Sequence, residues 1–185
     1  MKILILNVCK ERLHYFEFVK PIEDILKKNH IKFFTVHYKN LKRNDLNLSS
    51  KIIICGTSLK DNDFLNNLNF FQWILSINKP VLGICAGMQI IGLIFGGKLK
   101  RKIEIGYYKE TFKKEFLGLV GEKEVYHLHN YYIAINKGIF EIFSETKTYK
   151  NRIIQAFKHK QKDIYGVLFH PEVRNKEVIL NFIKI

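Results

Sequence analysis

Long apolar runs are missing from this sequence. No stretch reaches eighteen consecutive apolar residues, so no segment has the form of a membrane-spanning helix. The first residues, Met1-Lys2-Ile3-Leu4-Ile5-Leu6, lead to Lys10 and Glu11 with neither a signal-peptide hydrophobic region nor a cleavage site. A soluble, cytoplasmic protein with no membrane partner is expected. Cysteine is scarce too: Cys9, Cys55 and Cys85 are odd in number and include no Cys-x-x-Cys pair, which argues against a disulfide framework and a zinc site. No metal and no cofactor is expected. Acidic residues are also few, 17 against 31 Lys and Arg, for a formal net charge of +14. Such a balance suits a polyanionic partner in principle. The basic residues are nevertheless scattered from Lys27 to Lys162 without forming one arm, and no RNP-like, KH-like or zinc-finger pattern accompanies them. A nucleic-acid role is therefore not expected, and the charge is left to serve solubility, a phosphorylated substrate or an acidic partner subunit. No repeat, low-complexity tract or linker marks an internal boundary, and 185 residues that are 47% hydrophobic suit one compact domain over 1–185.

What is present reads as alternating strands and helices. Lys2 to Leu6 has the apolar character of a buried strand, Phe16 to Lys28 has helical spacing with Pro21 near its start, and Ile31 to Val36 is β-rich again. The β-branched run from Lys51 to Cys55 suits a central parallel strand and ends at Gly56-Thr57-Ser58. Asp63 to Ile77 predicts a helix, broken by Asn78-Lys79-Pro80 before a short strand that ends at Ile84. A helix follows from Ala86 to Phe95, closed by Gly96-Gly97. Beyond it the texture shifts to shorter alternating segments, Val125 to Ile133, Phe140 to Phe143, Ile153 to Lys158 and Ile164 to Phe169, expected as antiparallel or mixed strands. A short amphipathic helix from Asn175 to Ile183 ends the series.

Cys85 stands out from the other two cysteines. Val81-Leu82-Gly83-Ile84-Cys85-Ala86-Gly87-Met88-Gln89 has the order strand, Gly-x-Cys-x-Gly, helix, the layout of a nucleophile elbow. Such a turn is crowded, and glycines two residues either side of the nucleophile let backbone pass closely. The first turn of a helix also favours a thiolate, through its unpaired N–H groups and the positive end of the macrodipole. Cys9 and Cys55 lack such surroundings and read as small buried hydrophobes.

A cysteine nucleophile needs a base and a group that orients the base. Gly166-Val167-Leu168-Phe169-His170-Pro171-Glu172 offers both: a hydrophobic strand delivers His170, and Glu172 returns two residues later to fix its tautomer and stabilise imidazolium. His127 and His129 are alternative bases, but neither is followed by a carboxylate at similarly close range.

Together, Gly83-Ile84-Cys85-Ala86-Gly87-Met88-Gln89 and Phe169-His170-Pro171-Glu172 resemble the two hallmark motifs of class I, or triad, glutamine amidotransferases, and the resemblance covers essentially the whole chain. It implies an α/β, flavodoxin-like three-layer sandwich with a mainly parallel central sheet and a smaller mixed or antiparallel sheet. It implies attack of Cys85 on the side-chain amide of L-glutamine, with His170 and Glu172 completing a catalytic triad. It places an oxyanion hole at the backbone N–H groups of Ala86 and Gly56, and makes Gln89 a substrate-binding residue. The loop Cys55-Gly56-Thr57-Ser58-Leu59 departs from the Gly-Gly-Pro or Gly-Pro-Gly type common in the family.

Within the family, Glu104-Ile105-Gly106-Tyr107 and His170-Pro171-Glu172-Val173 look most like the glutaminase part of GMP synthetase. His129-Asn130-Tyr131-Tyr132 is similar to the glutaminase subunit of imidazole glycerol phosphate synthase. No Ser-Gly-Gly-x-Asp-Ser type ATP loop and no P-loop is present. The expectation is a glutaminase that passes ammonia to a separate synthase subunit. The alternatives are a stand-alone hydrolase of γ-glutamyl amides or peptides, and a catalytically degenerate regulatory homologue.

Overall fold

A computed structural model describes residues 1–149 and 152–185. The first half winds β1 (Ile3–Asn7), a short helical turn α1 (Arg12–His14), a π-helical turn (Tyr15–Val19), α2 (Lys20–Lys28), β2 (Phe33–His37), α3 (Arg43–Leu48), β3 (Lys51–Ile54), a 3-10 helix (Asp63–Leu75), β4 (Val81–Ile84) and α4 (Ala86–Ile94). The second half runs through β5 (Lys98–Phe116), β6 (Leu119–Ala134), β7 (Phe140–Lys147), β8 (Arg152–His159), β9 (Ile164–Val167) and α5 (Glu177–Lys184).

The nine strands form one sheet in the order β2-β1-β3-β4-β9-β8-β7-β5-β6. Its first five strands are mutually parallel, and with β9 in fifth place they reproduce the doubly wound 2-1-3-4-5 order. The fold is α/β, as expected. β3, β4 and β9 are buried along their whole length, and β1 nearly so, because helices cover both faces; this is why these segments read as unbroken apolar runs. From β9 onward the pairing turns antiparallel. The smaller sheet thus continues the parallel one edge to edge, joined where Ala156, Phe157 and Lys158 pair with Val167, Gly166 and Tyr165.

Two elements differ from expectation for local reasons. The segment after Asp63 winds as a 3-10 helix, broken at Asn67, whose side chain donates to the Asp63 carbonyl at 2.8 Å and competes with the backbone ladder. β5 lies outside the expected elements altogether. Its buried positions include Glu104 and Glu110, while Ile103, Ile105 and Tyr107 face outward, so its polarity runs opposite to the usual strand signal. Ahead of α2, the π turn widens the helix and brings Phe18 toward the sheet's carboxyl edge. No helix among the described residues is long and apolar enough to cross a membrane.

Candidate active site

Cys85 occupies the turn between β4 and α4 with φ +49° and ψ −103°. A left-handed φ is strained for any residue with a Cβ. Two main-chain bonds hold it: Cys85 N–H donates to the Val167 carbonyl at 2.8 Å, and Gln89 N–H donates to the Cys85 carbonyl at 3.0 Å. The flanking glycines are required by contact. A Cβ on Gly83 would stand 2.5 Å from the Gly87 carbonyl carbon, and one on Gly87 would stand 2.3 Å from the Ile54 carbonyl oxygen. The thiol donates to the Leu128 carbonyl at 3.6 Å.

β9 lies beside β4 in register, with Ile84 opposite Val167, so the residue before Cys85 and the strand leading to His170 are neighbours. His170 is anchored through its own N–H, which donates to the Tyr126 carbonyl of β6 at 2.8 Å. Its imidazole and the Glu172 carboxylate are both buried, and Nδ1 meets Glu172 Oε1 at 2.7 Å. At the far end of the ring, Nε2 is buried and has no hydrogen-bond partner. Phe18 packs on the imidazole at 5.4 Å between ring centroids. Burial opposes a charged imidazole, but Glu172 and the Cys85 sulfur outweigh it and hold the His170 pKa well above its ordinary value. Thus Cys85, His170 and Glu172, separated in the chain, meet at the carboxyl edge of the parallel strands.

Gly56 fits the notch between base and nucleophile. A Cβ there would lie 2.6 Å from His170 Cε1 and 3.4 Å from Cys85 Cβ. Ala86 is the first residue of α4, and its N–H belongs to the set a helix leaves without an internal partner. Gln89 is buried one turn later and donates through Nε2 to the Tyr131 carbonyl at 2.8 Å. Together with Cys85, Ala86, Leu128 and Asn130 it lines a cavity of about 20 Å³, room for roughly one water. A wider cavity of about 720 Å³ opens on the other side of His170, walled by His14, Phe18, Lys60, Tyr126 and Glu172.

Two residues that close the site do not stand out in the sequence. Asp61 is buried and organises the loop after β3, accepting from Thr57 Oγ1 at 2.8 Å and from the Lys10 N–H at 2.6 Å, and facing His14 Nδ1 at 3.4 Å. Asn130 donates to the Leu59 carbonyl at 2.8 Å and ties the same loop to β6. Asp61 is an acidic residue in a loop directly beyond a buried strand, which is a readable signal; Asn130 carries none outside its neighbourhood in the resembling motif. The alternative bases have other partners, since His127 faces Glu110 and His129 faces Glu104. Cys9 and Cys55 are buried, the first donating to the Gly56 carbonyl at 3.6 Å and the second accepting from the Val8 N–H at 3.4 Å.

Residues 14–184 match the family model described as glutamine amidotransferase class-I. Over 128 residues the chain is 37% identical to the glutamine-hydrolysing subunit of GMP synthase from Methanosphaera stadtmanae, covering 63% of this chain and 66% of that protein. Over 120 residues it is 37% identical to the glutamine-hydrolysing GMP synthase of Staphylococcus epidermidis, covering 60% of this chain and 23% of that protein. The matches thus span less than two thirds of these relatives' own length. The crystal structure of a proposed GMP synthase subunit from Thermoplasma acidophilum superposes with a TM-score of 0.86 at 25% identity, covering 100% of this chain and 92% of that one. The glutaminase domain of Trypanosoma brucei CTPS, crystallised with acivicin, shares the fold at a TM-score of 0.74 and 14% identity, over 98% of this chain and 92% of that one.

Proposed function

The chain belongs to the class I glutamine amidotransferase family, and from that premise we propose that residues 1–185 act as one glutaminase domain that hydrolyses L-glutamine and passes the ammonia to a separate synthase subunit of the GMP-synthetase kind. The buried contact of 2.7 Å between His170 Nδ1 and Glu172 carries this reading, because it leaves Nε2 free on the side of the ring that serves Cys85. The deprotonated Cys85 sulfur attacks the carboxamide carbon. The oxyanion that forms is met by the N–H of Ala86 and the N–H of Gly56. His170, as imidazolium, gives its Nε2 proton to the nitrogen, the C–N bond breaks, and ammonia leaves a glutamyl thioester. The neutral ring then takes a proton from water as that water attacks the thioester, and returns it to the sulfur as glutamate departs. Glu172 keeps the other ring proton on Nδ1 throughout and stabilises the imidazolium.

Gln89 has one structural duty, holding the Tyr131 carbonyl, and its amide lines the glutamine pocket. With room for one water beside Cys85, glutamine enters as the loop around Leu59 and Asp61 lifts away from Asn130. The GMP-synthetase assignment of the acceptor draws on the sequence matches to that enzyme's glutamine-hydrolysing part. The test is ammonia release from glutamine by the purified chain, alone and with a GMP-synthetase synthase subunit. Weak activity that rises with the partner and vanishes in Cys85→Ala supports the proposal. Turnover of γ-glutamyl peptides in preference to glutamine would assign a hydrolase instead. A chain that forms no adduct at Cys85 with a glutamine-like electrophile would be a regulator.

A further inference from the structure

The inward face of β5 and β6 carries a second concentration of chemistry. Glu104, Glu110, His127 and His129 are each more than nine-tenths buried, beside Gln155 of β8 and Thr146 of β7. The strand is turned to put them there. Ile103 and Ile105, flanking Glu104, are 51% and 52% exposed while Glu104 is 4% exposed, and a bulge between Arg101 and Glu104 sets this facing. A slip of one residue would bury the isoleucines and release the glutamate, so burial of apolar surface alone argues against the observed register.

His129 Nε2 lies 3.1 Å from Glu104 Oε2 and 3.2 Å from His127 Nδ1. Protons alone serve this cluster poorly. One proton on His129 Nε2 must be shared between two acceptors, and protonating both rings sets N–H against N–H across the same gap. His129 Nδ1 is buried without a hydrogen-bond partner in either case. Donors about 2.0–2.1 Å from a tetrahedral ion stand about 3.3 Å apart, close to the two spacings observed. We propose that Glu104, His127 and His129 hold a divalent transition-metal ion, with Zn²⁺ as the reference case. One donor atom from each of the three lies within 4.8 Å of the others.

The surroundings are those of a metal ligand set. Glu110 Oε1 faces His127 Nε2 at 3.5 Å, on the side away from the proposed ion, which keeps the proton on Nε2 and the lone pair on Nδ1. Glu110 is held in turn by the Thr146 hydroxyl, at 2.9 and 2.8 Å to its two oxygens. Glu104 and His129 are directly opposed across the β5–β6 ladder, so the ion clamps the hairpin. Between the two histidines lies Leu128, whose carbonyl receives the Cys85 thiol, and the clamp therefore also fixes that carbonyl. Because every ligand is buried, the ion enters as the hairpin closes during folding.

The experiment is metal analysis of the full chain, made without a histidine tag, unfolded in chelator and refolded with Zn²⁺ before extensive dialysis. About one zinc per chain is expected, with a higher melting temperature than the chain refolded in chelator. Glu104→Gln and His127→Gln are each expected to lose the bound zinc, whereas Cys85→Ser and His30→Ala keep it, which excludes the thiol site and surface histidines. Glu110→Gln is expected to weaken zinc about 10–100-fold in competition with a chelator. Substoichiometric zinc in the wild-type chain, or full retention in both Glu104→Gln and His127→Gln, would overturn the proposal. Should those variants fail to fold, Co²⁺ in the refolded wild-type chain decides: intense visible bands of a four-coordinate ion support the site, and the spectrum of the aqueous ion sinks it.

Discussion

The space that a side chain would need at Gly56 is filled by the imidazole of His170, whose Cε1 lies 2.6 Å from where a Cβ would stand. The glycine thus serves the base as well as any oxyanion. Gly56→Ala must push the ring away from Glu172 or shift the loop. We expect a large loss of ammonia release, with destabilisation of about 1–3 kcal/mol from overpacking. Activity assays beside thermal melts check it, and an alanine variant with unimpaired turnover would show that the ring position is not critical.

Glu172→Gln removes the leading attraction that raises the His170 pKa, while burial, which lowers it, stays. The imidazole should titrate at lower pH, readable from its Cε1 proton resonance. A raised pKa makes the charged pair a stabiliser below the unfolded imidazole value of about 6.5, with the benefit lost as pH rises through the folded value. Wild type should therefore lose this increment of stability on the alkaline side, and the variant should show no such decline. Its kcat should fall on the order of 10²–10⁴-fold.

At Gly87 the obstacle to a side chain is backbone, the Ile54 carbonyl oxygen at 2.3 Å from a Cβ, so no rotamer can relieve it. Gly87→Ala should destabilise more than Gly56→Ala does, or fail to fold. Urea unfolding curves for the two variants would reverse this order if the elbow can widen.

Asn130 holds the loop after β3 by one hydrogen bond to the Leu59 carbonyl. Asn130→Ala gives up about 1 kcal/mol and should open the loop locally without unfolding the sheet. Trypsin cleavage after the exposed Lys60 should accelerate while the melting temperature moves little. An unchanged cleavage rate would mean that Asp61 and its partners suffice to hold the loop.

The site is legible in the sequence where its chemistry is local. The elbow is written in nine consecutive residues, and His170 and Glu172 are separated by a single proline, so short spacing carries their geometry. The parallel strands are readable because burial on both faces leaves continuous apolar runs. β5 escapes because its isoleucines and tyrosines face outward and its glutamates inward. His127 and His129 lack nearby carboxylates in the sequence for a related reason. Their partners, Glu110 and Glu104, stand on the opposite strand of the β5–β6 hairpin, well upstream of any local window. Asn67 shows a third limit, where a side chain that competes for backbone bonds turns an expected α-helix into a 3-10 one.

Ile84 and Val167 face each other as rungs of one ladder, immediately ahead of the nucleophile and three residues ahead of the base. Their separation is therefore quantised. To alter it along the strands, evolution must move by whole residues of about 3.3 Å, and each odd step would swap inside for outside along β9. Surface and loops can drift freely while this spacing holds, which accounts for a likeness of 0.86 in TM-score to a chain sharing only 25% of its residues.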